Sequence, residues 1–234
     1  MSTLSLDSLA VTASDTWLNA PVQVNWPHVI KQRKQVMRQT DLPFYLLAPE
    51  ISDLLRLCKD SNQRLMFATA FLTGGELHEL MALKRSHFDF DADIAKVTIS
   101  SGNKERRASN DYQRLQMRNV PIADPYYIDM LQSYFKTHKV KKNDRLFEIT
   151  RFGANKRLQR LIVKAESQGF QFDDKVSFRT FRHSFAINLV LHGRPLPFIQ
   201  KLLGHSMEVS TAIYGHVLDV EADSLISGVC FNIY

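Results

Sequence analysis

Cysteine is scarce in this chain: its two thiols, Cys58 and Cys230, lie far apart and form no C-x-x-C pair. That spacing gives no footing for a disulfide framework or a cysteine-based zinc site. No apolar run reaches the roughly 18 residues that a membrane-crossing helix needs. The opening stretch MSTLSLDSLAVTASDTW lacks the basic segment followed by an apolar one that marks a secretion signal. The expectation is a cytoplasmic protein, in bacterial terms one associated with the nucleoid or a plasmid. Internal repeats and low-complexity segments are missing as well. His78-Glu79 is not followed by the second histidine of H-E-x-x-H, and no clustered Asp/Glu ligand set stands out, so no metal is expected. Gly74-Gly75 lacks the pattern of a phosphate loop, so neither a nucleotide cofactor nor a small-molecule substrate is expected.

What is present is enough apolar matter for a core and an excess of positive charge. The chain has 234 residues, 44% of them hydrophobic, which suits one globular domain with tails. Lys plus Arg number 30 against 24 Asp plus Glu, a net charge of +6 that favours anionic partners such as nucleic acid.

Periodicity divides the chain. Residues 1–43 are polar and show little apolar pattern, with Lys31, Arg33, Lys34 and Arg38 near the end, and read as a partly basic, mobile or loosely docked arm. Helical spacing begins near Pro49 with Ile51, Leu54, Leu55 and Leu57, continues from Arg64 to Thr73 up to Gly74-Gly75, and resumes from Glu76 to Leu83. Between Phe88 and Ile122 the period shortens toward two. Ile94, Val97 and Ile99 then fall on one strand and Met117 to Ile122 on another, joined by the polar, basic link SSGNKERRASNDYQRL. Helices are expected again over Tyr126–His138, Asn155–Ser167, Phe181–Leu191, Pro197–Leu203 and Glu208–His216. The predicted fold class is mainly α with a small antiparallel β-sheet (α+β). Its domain limits are an arm at 1–43, a body at 44–218 and an amphipathic C-terminal tail at 219–234.

The stretch FRTFRHSFAINLVLHGRPLPFIQKLLGHSMEVSTAIYGHV, residues 178–217, contains an Arg-His-Ser-Phe-Ala helix start, a Leu-Leu-Gly-His turn and a tyrosine nine residues after that histidine. This resembles the catalytic domain of the tyrosine recombinase (phage integrase) family. The blocks LTGGELHELMALKRSHFDFD and SGNKERR resemble the helix that carries the family's first arginine and its basic hairpin. Similarity spans about residues 46 to 217. The resemblance implies the fold of that catalytic domain and duplex DNA as partner. It also implies a tyrosine attack on a phosphodiester that forms a 3′-phosphotyrosine and releases a 5′-hydroxyl. Because bond energy is conserved, such a reaction needs neither ATP nor metal. By the same matching Tyr214 is the nucleophile, Arg182 the second arginine and His205 a phosphate donor, with Arg179 three residues before Arg182 where the family has His or Lys. Lys104, Arg106, Arg107 and Lys84 are the implied DNA contacts. Taken singly, Arg182 also fits a surface charge, His205 a helix cap and Tyr214 a core aromatic.

Two catalytic positions depart from the family. Glu76 stands where the first arginine belongs, beside the matching landmarks Thr73, Gly74, Glu79 and Leu80. The hairpin lysine that protonates the leaving oxygen falls on Ser101. A carboxylate near a scissile phosphate repels it where an arginine would neutralise it. Glu76 is therefore expected to pair with Arg179 or Arg182. The 1–43 arm is also too short for the family's core-binding domain, as in the short plasmid resolvases and fimbrial invertases that the chain resembles. Two functions follow: a site-specific recombinase of DNA integration, excision or inversion on a mobile element, or a catalytically silent DNA-binding accessory protein. Either could work as a homo-oligomer on DNA or in a hetero-assembly with another recombinase.

Overall fold

The computed structural model of the chain describes residues 23–101 and 116–221. In chain order its helices are α1 (Trp26–Gln39), α2 (Ala48–Leu57), α3 (Ser61–Thr73), α4 (Leu77–Ala82), α5 (Pro125–Thr137), α6 (Arg151–Glu166), α7 (Phe178–Leu191), α8 (Leu196–Leu203) and α9 (Val209–Ala212). A short 3-10 turn covers Arg85–His87 and a longer 3-10 segment Ile213–Glu221. Between α4 and α5 the strands β1 (Phe88–Asp89), β2 (Lys96–Ser101) and β3 (Gln116–Pro121) pair antiparallel in the order β1-β2-β3. This is the mainly helical fold with a small antiparallel sheet that the periodicity predicts.

Helix starts are written locally. Asp60, Asp124, Thr150 and Ser177 each turn a side-chain oxygen onto a backbone N–H of the first turn of α3, α5, α6 and α7, satisfying donors that have no partner within the helix. Helix α3 is buried almost all round, from Leu65 to Phe71. It packs against α7 through Phe67, whose ring stacks on Phe181 at a centroid distance of 5.8 Å. Burying each such ring is worth roughly 1.5–3 kcal/mol, and this contact sets where α7 presents its polar side.

Three expectations change. The segment His28–Arg38 lies in α1, which starts on an Asn25 cap and packs on the 3-10 segment Ile213–Glu221. Arg33 is bonded at 2.5 Å to Glu50 of α2, while Val36 and Leu42 belong to the core. A basic stretch with one apolar face docks, so this part of the arm is not loose. Ile94 lies outside the sheet and is 59% exposed, because the Asp91 N–H closes onto Asp89 Oδ1 and turns the chain before β2 begins. The helix expected over Glu208–His216 is split, with α9 giving way to 3-10 winding at Ile213. Gly215 and the β-branched Thr211, Ile213 and Val217 explain this, since none favours an α-helix. Among the described residues no helix is long and apolar enough to cross a membrane.

Candidate active site

Four elements meet around the Arg182 side chain. Arg182 sits in the second turn of α7 and is only 7% exposed. Its guanidinium donates to the carbonyl of Gly74 at 2.7 Å and to that of Leu203 at 2.6 Å, tying the end of α3 to the end of α8. Both carbonyls are exposed to a donor because each helix ends in a left-handed glycine, Gly74 at φ 59° and Gly204 at φ 69°. At Gly74 any side chain would force the Phe185 ring to move, because a Cβ there would stand 2.4 Å from Cδ1 of Phe185. Burial depresses the Arg182 pKa, and Glu79 acts to hold it up.

Tyr214 enters from the 3-10 segment and is 2% exposed. Its hydroxyl lies 2.8 Å from His183 Nδ1, one residue along from Arg182. His205, one residue past Gly204, places its ring against that of Tyr214 at 6.5 Å and bonds through Nδ1 to Thr211 Oγ1 at 2.9 Å. Both histidines are pushed from 6.5 down to about 4, first by burial and then by nearby arginines: Arg179 and Arg182 for His183, Arg182 and Arg118 for His205. At neutral pH they are uncharged. The Tyr214 phenol moves the other way, raised by burial against the pull of Arg182 and Arg179. Arg179 is exposed on the first turn of α7, close enough for its charge to reach both His183 and Tyr214.

On the opposite wall, the buried carboxylate among the described residues nearest Arg182 is that of Glu79. It is buried in α4 and accepts both ends of the Arg118 guanidinium at 2.6 Å each. It also accepts the Glu76 N–H at 2.8 Å and lies 3.9 Å from Arg182. Arg118 and its hydrogen bonds hold the Glu79 carboxyl below its usual range, against the effect of burial. Glu76 itself caps α4 from its exposed rim and pairs with His78 at 3.3 Å. The expected direct ion pair of Glu76 with Arg179 or Arg182 is thus not formed, although the Glu76 charge still acts on Arg182. As a cap residue Glu76 turns toward solvent, and the position one helical turn later carries the buried charge.

Arg182, His205, Tyr214 and Arg179 are therefore brought together. Ser101 ends β2, where its backbone pairs with Gln116. Lys84 is half-buried ahead of the turn Arg85–His87, and its backbone forms an isolated antiparallel bridge with Arg145. Lys104, Arg106 and Arg107 lie outside the described residues. Sequence reasoning overlooked Arg118, His183 and Thr211. For Arg118 a signal existed: in the strand MRNVPI, positions 118, 120 and 122 share one face, and Val120 and Ile122 are core residues. A charge on that face must have a buried partner. Among the described residues no group of three or more His, Cys, Asp and Glu is placed to hold a metal ion.

Residues 45–221 match the model of the phage integrase family. A resolvase of Escherichia coli is 30% identical over 221 residues, which cover 86% of this chain and 85% of the relative. Among solved structures, the XerH site-specific recombinase bound to difH substrate in a pre-cleavage complex aligns with a TM-score of 0.60 at 23% identity. That alignment takes in 79% of this chain and 53% of that one, so the chain spans about half its length. The catalytic domain of bacteriophage HP1 integrase aligns with a TM-score of 0.56 at 23% identity, over 81% of this chain and 95% of the domain. At these identities the structural likeness is one of fold.

Proposed function

The chain belongs to the phage integrase family, and from that premise we propose that it binds duplex DNA at a specific site and cuts and rejoins strands through Tyr214. The observation that carries this reading is the 2.8 Å contact between the Tyr214 hydroxyl and His183 Nδ1, made beside the anchored Arg182. A buried phenol needs a proton acceptor before it can attack at neutral pH. In the tautomer that carries its own proton on Nε2, neutral His183 offers that acceptor at Nδ1. Arg179 does not, since a guanidinium cannot be deprotonated there.

The Tyr214 oxygen bonds to phosphorus as its proton passes to His183, and the bond from phosphorus to the 5′ oxygen breaks. The products are a 3′-phosphotyrosine and, once the leaving oxygen takes a proton from solvent water, a 5′-hydroxyl. Rejoining runs the same steps backwards from a new 5′-hydroxyl. Arg182, with its fork of donors, and His205 stabilise the charge that grows on the phosphate. Lys104, Arg106, Arg107 and Lys84 serve the DNA backbone, around a catalytic domain taken as residues 44–218. Exchange between two duplexes breaks four strands and each copy has one Tyr214, so the reaction calls for several copies on DNA or a second recombinase.

The decisive experiment is to trap the covalent adduct on a nicked duplex that the wild-type protein has selected from a random pool. The wild type should form a denaturation-resistant adduct; absence of one would remove strand cleavage from the function. A second reading, an accessory protein that binds DNA without cutting it, is favoured by Glu76 at the rim where the family keeps an arginine. Salt-dependent binding without any adduct would establish it, since phosphate contacts make affinity fall steeply with salt.

A further inference from the structure

Three buried hydroxyls of the helices share a habit. Thr69 donates to the Leu65 carbonyl at 2.7 Å, Thr73 to that of Thr69 at 2.6 Å and Ser184 to that of Thr180 at 2.8 Å, each four residues back on its own helix. Such a bond gives the hydroxyl proton an acceptor where water does not reach. Thr211 on α9 does otherwise. It is 2% exposed, and among the described residues its hydroxyl has one hydrogen-bond partner, Nδ1 of His205 at 2.9 Å.

That single partner decides which way the bond runs. A threonine hydroxyl has one proton to give. Were Nδ1 to carry the ring proton and donate it, the Thr211 proton would be left without an acceptor, and an unpaired buried donor costs more than an ordinary hydrogen bond returns. With Nδ1 as the acceptor both groups are satisfied. Burial, then Arg182 and Arg118, keep His205 uncharged at neutral pH, and a neutral imidazole that accepts at Nδ1 carries its proton on Nε2. Nε2 has no partner among the described residues. The His205 backbone is held too: its N–H donates to the Gln200 carbonyl at 3.2 Å, and its carbonyl accepts from Gln200 Nε2 at 3.3 Å. With backbone fixed from α8 and ring fixed from α9, the donor left open is Nε2–H of His205.

We propose that Thr211 is a positioning residue of this site: its hydroxyl donates to His205 Nδ1, holds the ring as the Nε2–H tautomer and so makes an uncharged histidine a hydrogen-bond donor for the reacting phosphate. The assignment rests on the strand-cutting function above, in which His205 answers charge on the phosphate. Thr211 lies three residues before Tyr214, where α9 passes into the 3-10 segment. The turn that brings in the nucleophile therefore also sets the donor. What position 211 must supply is a hydroxyl, so serine serves there and valine, with the shape of threonine, does not.

The test compares the wild type with Thr211→Val and Thr211→Ser, each shown to be folded by a thermal melt. Ring-nitrogen NMR of the full chain at pH 7, with the His205 signals assigned by their loss in His205→Gln, reads the tautomer directly. Wild type and Thr211→Ser should show a proton on Nε2 and an unprotonated, hydrogen-bonded Nδ1, whereas in Thr211→Val the Nδ1 resonance should move to that of an unbonded ring nitrogen. A proton on Nδ1 in the wild type would overturn the proposal. Adduct formation on the nicked, pool-selected duplex should be roughly 10-fold to 100-fold slower for Thr211→Val and within about threefold of wild type for Thr211→Ser, with DNA affinity unchanged. A folded Thr211→Val protein that cleaves at the wild-type rate would also overturn it, since the tautomer would then not serve the reaction. If the wild type gives no adduct, it is the cleavage reading that fails, and the ring spectrum with the nicked duplex bound decides on Thr211. The His205 Nε2–H resonance should then shift on binding in the wild type and in Thr211→Ser but not in Thr211→Val; no shift in the wild type would overturn the proposal.

Discussion

The two walls of the pocket are built in opposite ways. On one, Arg182, His183, His205 and Tyr214 come from a single stretch of chain, residues 178–217, coiled into α7, α8, α9 and the 3-10 segment. On the other, the key groups Glu79 and Arg118 stand 39 residues apart and meet where the Arg118 side chain of β3 reaches Glu79 of α4. The first wall keeps the residue types its family resemblance implies; beside the second, Glu79 matches that resemblance while Glu76 and Ser101 depart from it. A contiguous wall can be read from motif spacing. A wall assembled across the fold cannot, because its partners meet in space and not in sequence.

The sharpest way to break this comparison is to disable the contiguous wall. Tyr214→Phe removes one oxygen from a ring that is otherwise buried among its own neighbours, so fold and DNA affinity should stay within about twofold of wild type. Adduct trapping on the nicked duplex should fall by more than about 1000-fold. Any adduct that persists would locate the nucleophile elsewhere. His183→Asn comes next. Asn can still accept a hydrogen bond near the position of Nδ1 but cannot take the proton, so single-turnover cleavage should drop roughly 100-fold or more with binding intact. An undiminished rate would show that the Tyr214 proton leaves by another route.

Gly74→Ala strikes the seam where both walls meet. Its φ of 59° and the Phe185 ring 2.4 Å from a would-be Cβ both oppose a side chain. The cost should be about 2 kcal/mol or more, measured as a fall in Tm of at least roughly 4 °C for a chain of this size. Phe185→Leu in the same protein should return part of it by making room. Cleavage should suffer beyond the stability loss, because the Gly74 carbonyl anchors Arg182. A Gly74→Ala protein with wild-type melting and cleavage would detach the glycine from both roles.

Legibility follows the same division. Capped helices with apolar faces announced themselves: α2, α3, α5, α6, α7 and α8 lie where their spacing and caps place them, within a few residues. So did the grouping of Arg182, His205 and Tyr214. His183 was visible in the Arg-His-Ser-Phe-Ala motif, but its partner was not, since the 3-10 winding at Ile213 aims Tyr214 at it and a uniform helix would not have suggested that aim. Glu76 is hard to place from sequence for a related reason. A charge reversal in a motif draws attention to itself, although the capping geometry turns it outward. Arg118 stayed hidden because the partner that makes a buried arginine tolerable is brought in by sheet register, with Arg118 opposite Ile99, and register is a property of two strands together.

The smallest effect separates the walls by acid. His183 and His205 on the contiguous wall hold folded pKa values of about 4 against 6.5. Between those values the unfolded chain binds more protons than the folded one, so stability falls as pH drops below about 6.5 and this loss is complete near pH 4. The Glu79 carboxyl on the other wall is depressed below its usual range. Its contribution is therefore present above about pH 4.5 and lost only as pH falls further, through its folded value. Thermal melts from pH 7 to pH 3 should show an early decline of a few degrees followed by a later one. His183→Asn should flatten the early decline and leave the later one in place, whereas Glu79→Gln should do the reverse. If both substitutions altered the same part of the curve, the two walls would be titrating as one unit, and the separation drawn between them would not hold.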